Sequence, residues 1–216
     1  MPADNYYLVE LVRKKARYYL DDTGRNETVL QKMLEVDRYD FLPEGAKACA
    51  YIDEALPIGF NQTCSQPSMV AFMLDKLNIQ SGNRILEIGS GCGYAAAIAS
   101  KLCGPDGKVW AVEIVAELVS MMKENLGSKY PNISVIHSDG SKGLQKEGPF
   151  DRIFLSAGVN RHSFDRTILV NQLTDTGILV YPEARGSIFK LIKSNDKLET
   201  TEYYGVSFVP LQGDNT

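Results

Sequence analysis

Histidine is scarce in this chain: His137 and His162 are the two present among 216 residues. A histidine-rich metal site is poorly supplied, and no His–Asp or Cys–His pair stands out for nucleophilic catalysis. The four cysteines, Cys49, Cys64, Cys92 and Cys103, contain no C-x-x-C spacing, so neither a zinc site nor a disulfide framework is indicated. No lysine or arginine run is long enough for a nucleic-acid footprint, and the formal net charge is −4. No run of about 18 apolar residues offers a membrane span. The opening MPADNYYLVELVRKKARYYL also lacks the apolar core of a signal peptide. These absences predict a cytoplasmic protein with no metal, no nucleic-acid partner and no membrane partner.

With 44% hydrophobic residues, the chain can bury one sizeable core. The expected organisation is an N-terminal helical and irregular extension, residues 1–66, that covers a domain over 67–216, the two together forming one unit. The first 20 residues can form a helix with an untidy apolar face. Asn26 is a candidate N-cap for a helix from Glu27 to Val36, whose Val29, Leu30, Met33 and Leu34 share a face. Residues 37–66 read as ordered but irregular. Pro67 suits the first turn of a further helix, continued by Met69, Val70, Phe72, Met73 and Leu77.

From Arg84 the pattern alternates. Strands are predicted near 84–88, 108–113, 133–137, 151–156, 177–181, 187–194 and 201–208, with helices near 93–103, 115–127 and 165–173. Strands alternating with helices imply an α/β fold, a doubly wound and mostly parallel sheet of seven strands. The last two strands leave no room for a helix between them, so they should form an antiparallel hairpin turning at Asn195 and Asp196.

The most informative stretch is Ile85 to Gly93, ILEIGSGCG, an apolar strand closed by Glu87 and then by Gly89, Gly91 and Gly93. Glycines there can adopt positive φ or admit a ligand where a Cβ would clash. A dinucleotide fingerprint would read G-x-G-x-x-G, whereas here the third glycine comes one residue early. Glu87 would repel a pyrophosphate but can accept hydrogen bonds from an ammonium group. That combination favours S-adenosylmethionine. Glu113 closes the next strand, 24 positions after Gly89. It reads as a ribose acceptor or as a surface glutamate starting the following helix. Asp139 and Gly140 follow the third strand and read as an adenine contact or as an ordinary turn pair. Cys92 reads as a small residue in a serine-sized position, His137 as packing, and His162 as a polar loop residue.

Residues 49–67, CAYIDEALPIGFNQTCSQP, stand directly before the helix that precedes the glycine strand. This segment resembles the protein-L-isoaspartate (D-aspartate) O-methyltransferase family, whose members carry Y-x-D-x-x-L-P-I-G-x-x-Q-T-x-S-x-P there. The likeness continues through LEIGSGCGY, Glu113, SDGSKG at 138–143, SAG at 156–158 and GVSFVPLQG at 205–213. It implies a class I, Rossmann-like methyltransferase using S-adenosylmethionine and releasing S-adenosyl-L-homocysteine. Its acceptors would be isoaspartyl-containing proteins and peptides, and a monomer is expected.

Carried over by position, Ser65 matches the active-site serine, and Gln62, Thr63 and Cys64 the loop lining the donor and substrate pocket. Glu87, Gly89, Ser90, Glu113, Asp139 and Gly140 match donor-binding positions, with Gly91 and Gly93 completing the glycine turn. Phe208, Val209 and Pro210 match the segment along which the substrate peptide lies. The chain departs from the family pattern at SAGVNRHSF, where many members have a proline after the alanine-glycine turn. PEARG at 182–186 stands in place of P-V-G, and Cys64 in place of isoleucine or valine. These changes border the pocket and bear on substrate preference. Two rival expectations are a methyltransferase of the same fold acting on RNA or a small molecule, and a donor-binding module without catalysis.

Overall fold

The apolar run RILEI becomes the third strand of the chain and the middle one of the five parallel strands in its main sheet, because parallel strands covered on both faces need apolar residues at nearly every position. The protein is seen here in a computed structural model that describes residues 4–16, 25–195 and 197–216. Its elements in order are α1 (Asn5–Ala16), α2 (Arg25–Leu34), a 3₁₀ turn (Arg38–Phe41), α3 (Glu44–Lys47), β1 (Leu56–Gly59), β2 (Gln62–Cys64) and α4 (Pro67–Leu77). They continue as β3 (Arg84–Ile88), α5 (Tyr94–Cys103), β4 (Lys108–Glu113), α6 (Ala116–Leu126), β5 (Ile133–His137) and β6 (Phe150–Leu155). The chain ends with α7 (Thr167–Val170), β7 (Leu173–Pro182), β8 (Arg185–Ser194) and β9 (Lys197–Ser207).

Among the described residues the main sheet has seven strands in the order β5-β4-β3-β6-β7-β8-β9, and β1 and β2 form a separate antiparallel pair. Strands β5 to β7 run parallel, while β7–β8 and β8–β9 are antiparallel. The expected fold class is the observed one. Strands β4 and β5 are added on one side of β3 and β6 and β7 on the other, so the strand order switches at β3 and the carboxyl ends of β3, β4 and β6 open one crevice, where ligands of open α/β sheets bind.

Side chains alternate across the sheet. Ile85, Val109, Ala111 and Phe154 face a core built with α1, α2, α4, α5 and α6. Leu86, Ile88, Trp110, Val112 and Ile153 face a second core closed by Leu169 of α7 and by Leu211 near the C-terminus. The N-terminal helices belong to the first core, since Leu8, Val9, Val12, Val29, Leu30 and Met33 are all buried in it. Asn5 donates to the Met33 and Val36 carbonyls (2.9 and 3.3 Å), capping the end of α2 and fixing α1 against it. No helix is long and apolar enough to cross a membrane among the described residues.

Some sequence expectations differ in detail. Helix α2 begins at Arg25, so Asn26 lies inside its first turn instead of capping it. The helix expected over 165–173 is only Thr167–Val170, because Phe150 already takes Gln172 as a backbone partner and pairs with Leu173, drawing the chain into β7. The irregular segment contains the hairpin β1–β2, which puts Gln62, Thr63 and Cys64 on an extended strand. His137 is exposed, with Nε2 3.1 Å from the Ile114 carbonyl, so it is not a packing residue. Asn195 turns the β8–β9 hairpin with φ +53°, and Asp196 lies outside the described residues.

Candidate active site

Gly89, Gly91 and Gly93 all adopt positive φ, at +76°, +53° and +88°, so the chain leaves β3 in a tight turn that side chains would resist. At Gly93 space is also short, since a Cβ would stand 2.8 Å from Met122 Cγ. The turn is tied to the neighbouring strand at both levels. The Gly89 and Ser90 amides donate to the Val112 carbonyl (2.9 and 3.0 Å), and the Gly91 amide donates to Glu113 Oε2 (2.9 Å). Glu113 Oε1 meanwhile accepts from the Ile114 and Val115 amides (2.8 and 2.9 Å), at the N-terminal entry of α6. Glu113 is therefore held rigidly at the rim of the crevice, with its carboxylate shared between the glycine turn and a helix start.

Three spaces meet at the carboxyl ends of β3, β4 and β6. A narrow cleft runs past Gln62, Gly89, Gly91, Glu113, Ser138 and Gly140. A small inner cavity is enclosed by Cys64, Ser65, Glu87, Ser90, Cys92 and Ser156. An outer cavity is bounded by Thr63, Ser65, Arg185, Phe208, Val209 and Pro210. Thr63 borders all three, and Ser65 borders the inner and the outer one.

Glu87 is fully buried at the inner cavity. Ser156 donates to its Oε1 (2.6 Å), while Oε2 has no hydrogen-bond partner. Burial pushes its carboxyl up from 4.5 to about 7, against the hydrogen bond of Ser156 that favours the charge. An unpartnered oxygen on a buried carboxylate is costly to leave alone, and an ammonium group satisfies it. Cys64 and Cys92 stand side by side behind Ser65, both buried and both free thiols. The hydrogen bond from Cys92 and the positive charge of Arg38 draw the Cys64 thiol below its ordinary range, and Cys92 is pushed up.

The loop that carries Ser65 is anchored by a residue absent from the sequence reading. Arg38 is fully buried and donates to the carbonyls of Ala50, Ile52, Glu54, Cys64 and Ser65 (2.8–3.3 Å). Asp53 fastens the same loop from the other side, accepting from the Ser68 amide (2.8 Å), Gln66 (3.2 Å) and Lys15 (2.6 Å). No short sequence motif announces the Arg38 clamp, because its partners are backbone carbonyls 12 to 27 positions away, whereas Asp53 is the acid of the Y-x-D-x-x-L-P-I-G segment.

The segment Phe208–Leu211 is strapped across the outer cavity. Its Phe208 amide donates to Ala184 (3.0 Å), its Val209 carbonyl accepts from Gly158 (2.8 Å), and its Leu211 amide donates to Gly158 (2.7 Å). The segments that depart from the family pattern, at 158–162 and 182–186, are thus the ones that hold this strap.

Asp139 sits apart from the cleft lining. Burial acts to raise its carboxyl, but amide hydrogen bonds from Ser141 (2.8 Å) and Asp214 (2.9 Å) hold it below the usual carboxylate range. Gly140 does border the cleft, tight against Ile88 and Val112, where a Cβ would come within 3.0 Å of both. Gly93 lies behind the turn, against Met122 and Leu126. No group of three or more His, Cys, Asp or Glu side chains is placed to hold a metal ion among the described residues.

Comparison with known proteins gives a consistent result. A profile of the family described as protein-L-isoaspartate(D-aspartate) O-methyltransferase (PCMT) matches residues 11–216. The protein-L-isoaspartate O-methyltransferase of Methanococcoides burtonii is 41% identical over 198 residues, which cover 90% of this chain and 96% of the relative. That of Methanocella arvoryzae is 42% identical over 184 residues, covering 84% and 96%. Among solved structures, one described as a protein-L-isoaspartate O-methyltransferase superposes with a TM-score of 0.84 at 26% identity, over 98% of this chain and 67% of that one. A Plasmodium falciparum structure so described, in complex with S-adenosyl-L-homocysteine, gives 0.80 at 26% identity over 97% and 98%.

Proposed function

The chain belongs to the protein-L-isoaspartate(D-aspartate) O-methyltransferase family, and we propose that Ser65 is the residue that presents its acceptor carboxylate for methylation. The reaction is methyl transfer from S-adenosylmethionine to the free α-carboxylate of L-isoaspartyl residues in damaged proteins or peptides, which starts their repair to L-aspartate. The observation that carries the assignment is the position of Ser65, on the boundary between the inner cavity and the outer one.

The residues present fit the methyl donor. Glu87 offers a buried carboxylate oxygen without a partner, suited to an ammonium. Gln62 and Thr63 wall the cleft that Glu113 rims, and Gly89 and Gly91 give it a backbone floor. S-adenosylmethionine, when bound, supplies a methyl group on a cationic sulfonium. In this reading Glu87 receives the amino group of the donor, with Cys64 and Ser90 beside it. Glu113 receives the ribose hydroxyls, and Gly140 lies against the adenine. Asp139 keeps lone pairs beyond the two amide bonds it already accepts, and with them it can take the adenine amino group.

The acceptor needs no general base, since an α-carboxyl titrates near 3 to 4 and is ionised at neutral pH. Ser65 then acts by orientation. Its hydroxyl donates to one carboxylate oxygen, while the buried walls at Cys64, Cys92 and Tyr94 keep water from the inner cavity. Phe208, Val209 and Pro210 support the peptide backbone in the manner of an added strand, so many sequences can be read through one abnormal linkage. Residues 1–66 act as a cover on the domain over 67–216, in one unit, a division supported by their contribution of the Ser65 loop and its clamp. We further assign the protein to the cytoplasm as a monomer with no nucleic-acid or membrane partner, a reading supported by the acidic net charge of −4.

Incubation with S-adenosylmethionine and an isoaspartyl peptide is expected to yield a product one methyl group heavier. Loss of that ester should return part of the peptide as the L-aspartyl form. A peptide recovered unchanged in mass, with the donor bound, contradicts the assignment.

A further inference from the structure

The outer cavity beside Ser65 is walled by uncharged residues with one exception, Arg185. This arginine occupies the segment PEARG, which replaces the usual P-V-G of the family. It is exposed and has no ion-pair partner among the described residues. The neighbouring cation, Arg161, is already engaged by Glu183 (3.5 Å) and Glu202 (4.0 Å). Glu183 is itself buried, with its carboxylate turned back on the Ser187 amide (3.2 Å). Arg161 is thus held by two carboxylates that line the neighbouring cavity, whereas on the outer cavity the charge of Arg185 stands alone.

Its base is rigid. Arg185 opens β8 paired with Ser207, one residue before the Phe208–Pro210 strap, whose first amide bonds Ala184 (3.0 Å). The turn at its back is closed by the Glu183 amide donating to Ser187 (2.8 Å), and Glu183 Oε2 occupies the space where a Cβ on Gly186 would come to 2.2 Å. Arg185 also borders a second open cavity on the far side of the strap, with His162, Ser187 and Tyr204. The guanidinium thus stands where a peptide lying along residues 208–210 would pass from one cavity to the other.

We propose that Arg185 is a specificity-determining residue that receives a carboxylate side chain flanking the isoaspartyl residue, giving this enzyme a preference for acidic neighbours. The proposal rests on the functional reading given above. A flanking acid is the better ligand than the reacting carboxylate. A guanidinium bonded to the reacting oxygen would draw off the charge that attacks the methyl group, whereas a neighbouring carboxylate carries no such cost. For an exposed pair of this kind the gain is about two- to five-fold in KM, and it fades with added salt.

The test uses isoaspartyl peptides that differ by Glu, Gln or Lys immediately before or after the isoaspartyl residue, at saturating S-adenosylmethionine. The expected order of KM is Glu below Gln below Lys at low salt, with the separation falling on KM rather than kcat. Arg185→Gln is expected to erase the order, and Arg185→Glu to reverse it in favour of Lys. The same order in wild type and Arg185→Gln, or no charge preference in the wild type, overturns the proposal. If no isoaspartyl peptide is turned over, the functional reading fails separately. Equilibrium binding of the same peptides in the presence of S-adenosyl-L-homocysteine then decides the role of Arg185 by the same ranking.

Discussion

The buried guanidinium of Arg38 donates a hydrogen bond of 3.2 Å to the backbone carbonyl of Ser65. The same group holds four further carbonyls, from Ala50 to Cys64, so the position of the Ser65 loop is set by a cation that lines none of the three spaces at the carboxyl ends of β3, β4 and β6. Arg38→Met is expected to leave these carbonyls without donors. At about 1–3 kcal/mol for each buried group that finds no substitute, a loss of about 3 kcal/mol or more in stability follows. Arg38→Lys keeps the charge but loses the planar fork that reaches several carbonyls at once. It is expected to fold with a reduced kcat. Denaturant unfolding and steady-state turnover check both, and wild-type turnover in Arg38→Lys would show that the clamp is not needed to position Ser65.

Ser65→Ala removes the orienting hydroxyl and leaves the loop in place. An orienting hydrogen bond is worth about 1–3 kcal/mol when its partner is left unpaired, so kcat/KM is expected to fall by about ten- to a hundred-fold. Donor binding, measured by calorimetry with S-adenosyl-L-homocysteine, is expected to stay at the wild-type level. Unchanged turnover would remove Ser65 from the reaction.

Much of this site was legible in the sequence because it is local. The glycines of ILEIGSGCG announce a turn through their own conformational freedom, and Glu113 and Gly140 follow from strands that end together. The clamp at Arg38 was not legible, since its partners are backbone groups on two separate stretches, 50–54 and 64–65, that carry no side-chain signature. Asp139 was visible as a residue at a strand end. What the sequence concealed was that the Ser141 and Asp214 amides already occupy its two oxygens, the second from 75 positions away. The shortening of α7 has a similar origin, because pairing of Phe150 with Leu173 overrides a local helical preference.

The carboxyl of Glu87 gives the site a pH dependence. Burial raises it from 4.5 to about 7 in the donor-free protein. A raised carboxyl favours the protonated folded state, so this contribution to stability is full below about 4.5 and is lost as pH rises through about 7. Binding an ammonium requires the ionised form. Affinity for S-adenosyl-L-homocysteine is therefore expected to rise as pH climbs toward 7. It should weaken again at higher pH, once the amino group of the ligand loses its proton. Titration calorimetry across this range checks the rising limb, which should vanish in Glu87→Gln. A rising limb that persists in that variant would assign it to another group.

Gly93→Ala tests the turn itself. The residue has φ +88°, and a Cβ would meet Met122 Cγ at 2.8 Å. Backbone strain of this kind costs about 1–3 kcal/mol. The variant is expected to melt several degrees lower, with weakened donor binding because Gly91 and Ser90 share the turn. A melting temperature equal to that of the wild type would mean that the turn relaxes at no cost.

Methyl transfer to an abnormal aspartyl linkage is read out with S-adenosylmethionine carrying a labelled methyl group. Two peptides of identical sequence are offered, one with L-isoaspartate and one with L-aspartate. Base-labile label is expected on the isoaspartyl peptide and none on its partner. Equal label on both, or none on either while the donor remains bound, would contradict the assignment.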